Sequence, residues 1–390
     1  MKIAVPKERR PNEARVAASP ETVKKLKALN LDVVVETGAG LGSNLPDAVF
    51  AAAGATIAPD AASALADADI VLKVQRPLTA AEGGEDELAL IKRGALLFGI
   101  LQPHNARESL AAYAAAGVNA FAMEFMPRIT RAQVMDVLSS QANLAGYKAV
   151  VDAASEYGRA FPMMMTAAGT VPPARAFIMG VGVAGLQAIA TAKRLGAIVS
   201  ATDVRPAVKE QVQSLGGSFV AVENEEFKQA ETAGGYAKEM SDDYKRQQAA
   251  LVAEHIKKQD IVITTALIPG RKAPVLVTAE HVASMKPGSV IIDLAVEQGG
   301  NVEGSKLGEV VTTANGVTIV GHGNYPSRIA ESASLLYAKN LLALLQSLHD
   351  KDTGIALNWD DEIVKAIALT RDGQVVHPAF AETVREAQPV

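Results

Sequence analysis

Three glycines in the spacing Gly-x-Gly-x-x-Gly, Gly180, Gly182 and Gly185, offer the clearest chemistry in the chain. An apolar run at 176–179 precedes them, and a helix-like segment at 186–195 follows. In a strand–turn–helix unit the first glycine permits a tight turn, the second lets the backbone approach a ligand, and the third lets helix and strand pack closely. The unpaired N–H groups at the start of such a helix bind phosphate. The pattern therefore predicts a pyrophosphate site.

An acidic residue follows where the ribose of a dinucleotide would lie. A second apolar run, 197–202, ends on Asp203. Its carboxylate can accept hydrogen bonds from a ribose diol and would repel a 2′-phosphate. Segment 176–203 contains, in this order, a strand, a turn, a helix, a second strand and a terminal acid. This is the order of a dinucleotide-binding unit, and it predicts binding of NAD(H). The alternative is a glycine turn with a structural role alone.

A second concentration of polar residues lies in segment 127–139, directly after a strand-like run at 119–125 and hence at a strand's carboxyl end. Its polar side chains are those of Arg128, Arg131, Gln133, Asp136 and Ser139. One interpretation is a clamp for a carboxamide-bearing ring. The other is the first turn of a helix with solvated charges.

The charged stretch 223–248, with Gly234, Gly235 and Tyr236 at its centre, is too long for an ordinary connection between a strand and a helix. Adjacent glycines allow hinge motion, and Tyr236 could cover a bound nucleotide. A surface pair of helices is the competing interpretation.

Composition and charge exclude several classes of protein. The chain has 390 residues, 49% hydrophobic and 4% aromatic, with a net charge of −5, which gives no basis for binding nucleic acid or an anionic membrane. The absence of cysteine excludes disulfides and is typical of a reducing cytosol. The uncharged stretch 176–192 is shorter than the roughly 20 residues of a spanning helix, so we expect a soluble protein.

The histidines show no spacing typical of metal ligands, and we expect surface or loop positions and no metal site. They are His104, His255, His281, His322, His349 and His377.

Strand-like and helix-like segments alternate in two series, which predicts an α/β fold with two Rossmann-like, doubly wound parallel sheets. The first series of strands is expected at 2–6, 32–36, 70–74, 96–101 and 119–125. The second is expected at 176–179, 198–202, 218–222, 261–266, 289–295 and 317–320.

Long helical segments at 139–158 and 327–348 flank the second series. We therefore expect the second domain, 139–326, to be inserted into a first domain made of 1–138 plus 327–390. Long helices would join the two domains, with a cleft between them that suits a ligand.

Several segments resemble one family, that of the soluble NAD(H)-binding portion of the alpha subunit of proton-translocating NAD(P)+ transhydrogenase. The most specific are RITRAQVMD and PMMMTAAGTVPPA, which the wider dinucleotide-binding superfamily lacks. Others are PKERRPNEARVAASP, VQRPLTAAEG, GVGVAGLQAIATAKRLGA, TAGGYAKEM, TTALIPGRKAPVL and MKPGSVIIDLA, and the likeness extends from the N-terminus to at least Leu342.

The resemblance implies roles for individual residues. Arg128, Gln133, Asp136 and Ser139 would surround the reactive nicotinamide as the catalytic set, with Gln133 nearest the contact between two nicotinamide rings, and Val137 and Leu138 would also contact the nucleotide. Residues holding pyrophosphate and adenosine ribose would be Gly180, Val181, Gly182, Val183, Ala184, Gly185, Asp203, Val204 and Arg205. Gly235 and Tyr236 would belong to a mobile loop, and Leu267 would line the adenosine pocket.

The resemblance also implies the reaction and the partners. A hydride would pass directly from NADH to NADP+ held on a partner, the NADP(H)-binding beta subunit, in an enzyme of the Si-specific, proton-translocating type that is active only with its partners. The membrane-spanning portion of the alpha subunit would couple transfer to proton movement. The chain ends without membrane helices, as in the form whose soluble component is a separate polypeptide. We expect a homodimer in the cytoplasm, peripheral to the inner membrane through its partners.

Two alternatives remain open. The related alanine dehydrogenases need an arginine and a lysine for the 2-oxoacid carboxylate, and Arg15 and Lys73 lie where these are expected. The expected histidine position reads Gln102-Pro103-His104, and Glu297 replaces an expected aspartate, so that set is incomplete. The other alternative is a non-catalytic module that binds NAD(H) and docks on a partner.

Overall fold

The computed structural model describes residues 1–230, 240–268 and 270–381. The described chain divides into two compact units. The first comprises Met1–Gln141 and the described residues from Ser327 onward, and the second the described residues of Ala142–Pro326. The expected domain limits at 138/139 and 326/327 stay a prediction.

The first segment of the chain alternates strands with short helices. Its strands are β1 (Lys2–Val5), β2 (Asp32–Glu36), β3 (Thr56–Ala58), β4 (Ile70–Gln75), β5 (Leu96–Ile100) and β6 (Asn119–Ala122). Its α-helices are α1 (Pro20–Ala28), α2 (Asp47–Ala52), α3 (Ala61–Leu65) and α4 (Arg107–Ala116).

These strands form one parallel sheet in the order β3-β2-β1-β4-β5-β6. Ile3 and Val5 belong to one hydrophobic cluster and Ala4 to another, because successive side chains of a strand point to opposite faces. All three are fully buried, which explains the continuous apolar run of β1.

The chain enters the second unit within α5 (Val137–Glu156). The later helices of that unit are α6 (Val183–Arg194), α7 (Val208–Ser214), α8 (Glu225–Lys228), α9 (Asp242–Ile256) and α10 (Ala279–Ser284). Its strands are β7 (Met164–Thr166), β8 (Gly169–Val171), β9 (Arg175–Met179), β10 (Ile198–Thr202), β11 (Ser218–Phe219), β12 (Ile261–Thr264), β13 (Val290–Asp293), β14 (Val310–Thr312) and β15 (Thr318–Val320).

The main sheet of this unit has the order β11-β10-β9-β12-β13-β15-β14, and all its pairs are parallel except β14 with β15. Strand order reverses at β9, since β10 lies on one side of it and β12 on the other. In open α/β sheets such a reversal leaves a crevice beyond the carboxyl ends of the strands. The turns after β9 and β12 therefore border the place where a ligand would bind.

The C-terminal segment completes the first unit. Its elements are α11 (Ala330–Ser347), β16 (His349–Asp350), β17 (Gly354–Ile355), α12 (Glu362–Ile367), β18 (Thr370–Arg371) and β19 (Gln374–Val375). Helix α11 buries Tyr337, Leu341 and Leu344 in the core of the first sheet. The Thr370 hydroxyl donates to the Val118 carbonyl (2.7 Å), next to edge strand β6.

The α/β fold with two parallel sheets is confirmed, with local corrections. The strand expected at 119–125 ends at Ala122, and Met123–Phe125 forms a 3-10 helix. There the Glu124 carboxylate accepts the backbone N–H of Gln102, so the chain turns instead of continuing the ladder. The strand expected at 218–222 keeps only Ser218–Phe219.

The hairpin of β7 and β8 was not predicted, because its exposed Met164 and Met165 show no alternation of apolar and polar residues.

Among the helices of the described residues, none combines the length and apolar character that crossing a bilayer requires.

Candidate functional site

The turn after β9 shows why glycine is needed at two of its three glycine positions. Gly180 has φ +100°, in the left-handed region that side chains disfavour. A β-carbon on Gly185 would lie 2.0 Å from the carbonyl oxygen of Gly180, so helix α6 could not pack on the turn. A β-carbon on Gly182 would meet no atom of the described residues within 4 Å. The turn is thus closed by protein at Gly180 and Gly185 and open at Gly182.

Helix α6 begins at this open glycine. Gly182 is its N-cap and offers no side-chain acceptor to the N–H groups of the first turn, which begins with Val183 and Ala184. The helix dipole places partial positive charge at the same point. A phosphate could accept hydrogen bonds there from backbone N–H groups alone.

Asp203, one residue beyond the end of β10, is already engaged by the protein. One carboxylate oxygen accepts the N–H of Val181 at 2.7 Å. Arg205 donates to Asp203 from its backbone N–H and its Nε, both at 2.9 Å, and from Nη2 at 3.0 Å. The side chain of Asp203 is only 6% exposed and that of Arg205 30%. A carboxylate has about four acceptor positions, so the donors must be shared or displaced when a diol binds.

The loop after β12 lies beside the glycine turn. The hydroxyl of Thr265 donates to the Gly180 carbonyl at 3.0 Å, and Leu267, expected in the adenosine pocket, is exposed. Thr265 was not singled out from the sequence, although it stands within the quoted segment TTALIPG. The sequence signal that could have identified Thr265 was its hydroxyl group, two residues before Leu267.

In the first unit, Gln133 lies on a 3-10 helix, Thr130–Met135, and is exposed. Arg128 is exposed just before this helix. Asp136 precedes α5 and accepts hydrogen bonds from the backbone N–H and the hydroxyl of Ser139, which is the geometry of a helix cap. The helix-start interpretation therefore accounts for Asp136 and Ser139, and leaves Arg128 and Gln133 presented to solvent.

The remaining residues of segment 127–139 differ in their burial and in their contacts. Val137 is buried and Leu138 exposed. Arg131 forms ion pairs with Asp361 and Glu362 of the C-terminal segment, with nitrogen–oxygen distances of 3.0 and 3.1 Å. Arg131 therefore anchors the 3-10 helix.

The stretch 223–248 contains helix α8 and the beginning of α9, whose Phe227 and Tyr244 pack in a small cluster with Met240. Gly235 and Tyr236 lie outside the described residues.

A buried ionic cluster in the first unit surrounds Arg15 and Lys73. The Lys73 ammonium, 1% exposed, lies 2.6 Å from the Glu87 carboxylate and 3.4 Å from that of Glu8. Arg15, 4% exposed, pairs with both oxygens of Glu13 at 2.6 and 2.7 Å. Both cations are thus occupied by carboxylates of the same chain.

Burial raises the pKa of Glu8 from its ordinary 4.5 to about 7, although the neighbouring Lys73 acts in the opposite direction. The carboxyl also accepts the Val74 backbone N–H at 2.7 Å.

Glu8→Gln is expected to make unfolding less dependent on pH. The folded state binds the Glu8 proton more tightly than the unfolded state, so wild-type stability falls as pH rises from about 4.5 to about 7. Relative to the variant, the loss should approach about 3 kcal/mol. Denaturant unfolding of both proteins at pH 5 and pH 8, followed by the fluorescence of Trp359, measures the difference. If the free energies of unfolding of wild type and variant differed by the same amount at pH 5 and at pH 8, the prediction would be wrong.

The histidines differ in part from the expectation of surface or loop positions. His255 lies on α9, lies 2.8 Å from the Ser200 hydroxyl and contacts the ring of Phe177, and burial lowers its pKa. His281 lies on α10 and takes part in its cap. Across the described ranges, no group of three or more His, Cys, Asp or Glu residues is arranged to hold a metal ion.

Two family models match the chain. The model described as "Alanine dehydrogenase/PNT, N-terminal domain" matches residues 4–145, and that described as "Alanine dehydrogenase/PNT, C-terminal domain" matches residues 149–378.

Comparisons with individual proteins show a greater similarity to transhydrogenase than to alanine dehydrogenase. A Rhodospirillum rubrum protein that forms one portion of NAD(P) transhydrogenase subunit alpha is 61% identical over 381 residues, covering 97% of this chain and 99% of that protein. The crystal structure of transhydrogenase from Sinorhizobium meliloti matches with a TM-score of 0.86 and 59% identity, covering 96% of this chain and 100% of that one. A solved L-alanine dehydrogenase matches with a TM-score of 0.81 and 26% identity, covering 100% of both chains.

Proposed function

The chain belongs to the alanine dehydrogenase/PNT family, and from its likeness to transhydrogenase alpha subunits we propose that it binds NAD(H) and passes hydride directly between NADH and NADP+ held on a partner subunit. The observation that carries the proposal is the turn after β9, open at Gly182 and followed by an uncapped helix start and by Asp203.

The nucleotide is held, in this proposal, by two sets of residues. Pyrophosphate and adenosine ribose bind at the turn, with its residues from Gly180 to Gly185, and at Asp203, Val204 and Arg205, with Leu267 beside the adenosine. The nicotinamide ring contacts the segment from Arg128 to Ser139, with Gln133 nearest the second ring. The exposure of Arg128, Gln133 and Leu138 supports this role, since a ligand can reach side chains at the surface.

Direct hydride exchange between two nicotinamides produces no alkoxide or amine, so the protein needs no general acid or base. Its task is to hold the rings at reacting distance, exclude water and orient the carboxamide. The Gln133 amide lies on a short 3-10 helix whose Arg131 pairs with Asp361 and Glu362, and the Arg128 guanidinium lies just before that helix. An amide and a guanidinium suit that task.

The buried cluster argues against the alanine dehydrogenase alternative. A 2-oxoacid would need the Arg15 and Lys73 charges, yet Glu13 and Glu87 neutralise them inside the core. Freeing either cation would leave a buried carboxylate unpaired, at a cost of several kcal/mol.

The partners proposed are an NADP(H)-binding beta subunit, a membrane-spanning portion of the alpha subunit that couples transfer to proton movement, and a second copy of this chain. Met163, Met164 and Met165 present an exposed apolar surface on the hairpin of β7 and β8, which supports self-association. The proposed location is peripheral to the inner membrane, through the partner subunits.

The test is to mix the purified chain with a purified NADP(H)-binding subunit and follow hydride exchange between NADH and an NADP+ analogue. Rapid exchange that requires both proteins supports the proposal. Nucleotide binding without exchange would favour the non-catalytic module, and NADH oxidation with pyruvate and ammonium would favour the dehydrogenase.

Asp203→Ala is expected to weaken NADH binding on the order of tenfold and to relax discrimination against NADPH. The change removes the acceptor for the ribose diol, ends the ion pair between Asp203 and Arg205, and removes the negative charge that would repel a 2′-phosphate. Dissociation constants for NADH and NADPH, measured by calorimetry, give both effects. Asp203→Asn, which keeps an acceptor and loses the charge, is the control; unchanged selectivity in the alanine variant would remove Asp203 from the ribose site.

A further inference from the structure

Asn301 is a fully buried polar residue in the second unit, beyond the end of β13. Its side-chain amide pairs with the backbone of Ala266 in both directions: the Ala266 N–H donates to Oδ1 at 3.0 Å, and Nδ2 donates to the Ala266 carbonyl at 2.9 Å. The second hydrogen of Nδ2 reaches the Pro274 carbonyl at 2.7 Å. Every donor of the amide is therefore used to hold the loop that follows β12.

Asn301 is itself held by Asp293, the last residue of β13, which is also fully buried. The Asp293 carboxylate accepts the Asn301 N–H, 3.1 Å from each oxygen, and the N–H of Ala295 at 3.0 Å. The Asn301 carbonyl accepts the N–H of Leu276 at 2.8 Å. A buried polar network with its groups satisfied is rigid, because each bond it loses leaves a desolvated group unpaired.

The network reaches the glycine turn through one more contact. Next to Ala266, the Thr265 hydroxyl donates to the Gly180 carbonyl at 3.0 Å. A β-carbon on Gly180 would lie 2.6 Å from that hydroxyl, so loop and turn are in close contact. The position of Ala266 therefore fixes both the turn and the exposed Leu267 that follows.

We propose that Asn301 is a positioning residue for the nucleotide: through Ala266 and Thr265 it sets the loop after β12 against the Gly180 turn, without touching the ligand. The inference rests on the proposed NAD(H) binding and adds a residue that none of the site's motifs includes.

The amide is the group that this position requires. An aspartate would still accept the Ala266 N–H, but its second oxygen would face the carbonyls of Ala266 and Pro274 in place of two donors. Two partly buried carbonyls would lose their partners, and the loop would move to let water reach them.

The test is the affinity of Asn301→Asp for NADH and, separately, for ADP, both measured by calorimetry on the whole chain. We expect each dissociation constant to rise on the order of tenfold, since the loop borders the adenosine half. At saturating NADH and with the NADP(H)-binding subunit present, the rate of hydride exchange should stay within about twofold of wild type, because the reacting ring is not moved.

Asn315→Ala is the matched control. The Asn315 amide also donates to backbone carbonyls, those of Val282 at 3.0 Å and Ala283 at 3.3 Å, but it follows β14, away from the two turns. This variant should lower the melting temperature and leave NADH affinity unchanged. Equal losses of NADH affinity in Asn301→Asp and Asn315→Ala would reduce Asn301 to a structural residue and overturn the proposal.

Thr265→Val keeps the proposal testable if Asn301→Asp does not fold, because valine matches threonine in shape and removes only the hydroxyl bond to Gly180. We expect NADH and ADP to bind about threefold to fivefold more weakly, with unchanged exchange at saturation. Wild-type affinity in this variant would overturn the proposal. Absence of NADH binding by the wild-type chain would instead refute the proposed function.

Discussion

Replacing Gly185 by alanine is expected to destabilise the second unit by about 3 kcal/mol, whereas the same change at Gly182 should leave folding almost intact and weaken NADH binding. At position 185 the new methyl would lie 2.0 Å from the Gly180 carbonyl oxygen, which is backbone and cannot rotate away. Helix α6 would have to separate from the turn, and forced overpacking of this kind costs about 1–3 kcal/mol or somewhat more.

At position 182 the methyl meets nothing among the described residues, and φ is −79°. The folding cost is that of alanine at an N-cap, about 1 kcal/mol or less. The methyl would stand where a pyrophosphate approaches the backbone, and we expect NADH affinity to fall tenfold or more.

Thermal unfolding and NADH titration of both variants provide the measurement. The expected pattern is a large fall in melting temperature for Gly185→Ala and a loss of affinity without that fall for Gly182→Ala. Full NADH affinity in Gly182→Ala would show that the open side of the turn is not where the phosphates bind.

Gln133→Asn is expected to slow hydride transfer on the order of a hundredfold and to change the NADH dissociation constant less than threefold. The shorter side chain keeps the amide and withdraws it by one methylene, which alters ring geometry more than contact area. A displacement of about 1 Å in a reacting pair can reduce the rate by about this factor. Gln133 is exposed on its 3-10 helix, so the change should leave the fold unaltered.

Single-turnover exchange at saturating nucleotide separates transfer from binding. Val134→Ala, at the next position of the same helix and also exposed, is the control for general disturbance of this surface. Parallel losses of rate and affinity in Gln133→Asn would count against a role in ring geometry.

Features that depend on local chain geometry were predictable from the sequence. The bounds of β2 and β10, Asp32–Glu36 and Ile198–Thr202, agree with the sequence prediction, because both segments are rich in the β-branched residues that favour strands. The roles of Gly180 and Gly185 were also predictable. Gly180 adopts a positive φ that other residues disfavour, and Gly185 lies too close to the Gly180 carbonyl for a side chain to fit.

Features that depend on contacts between distant residues were not predictable. Asn301 pairs with Ala266 across a long separation in sequence, and no spacing rule connects them. The pairing of Arg205 with Asp203 depends on side-chain torsions that a sequence does not specify. Segment 127–139 allowed two interpretations, because helix-capping residues and ligand-binding residues are of the same polar types. In the structure, Asp136 and Ser139 form a capping contact.

The two sheets share the order of their first five strands, and the corresponding crevices differ in what fills them. Beyond β9 the turn is open at Gly182. Beyond β1, at the same place in the first sheet, the Glu8 carboxylate accepts the Val74 N–H of β4, and Lys73 and Glu87 complete a salt bridge beneath it. The side chains of Glu8, Lys73 and Glu87 thus occupy the first crevice, where the second crevice presents an open glycine turn. Each polypeptide is therefore expected to bind a single dinucleotide, in the crevice of the second unit. The corresponding crevice of the first unit is filled by side chains of the protein.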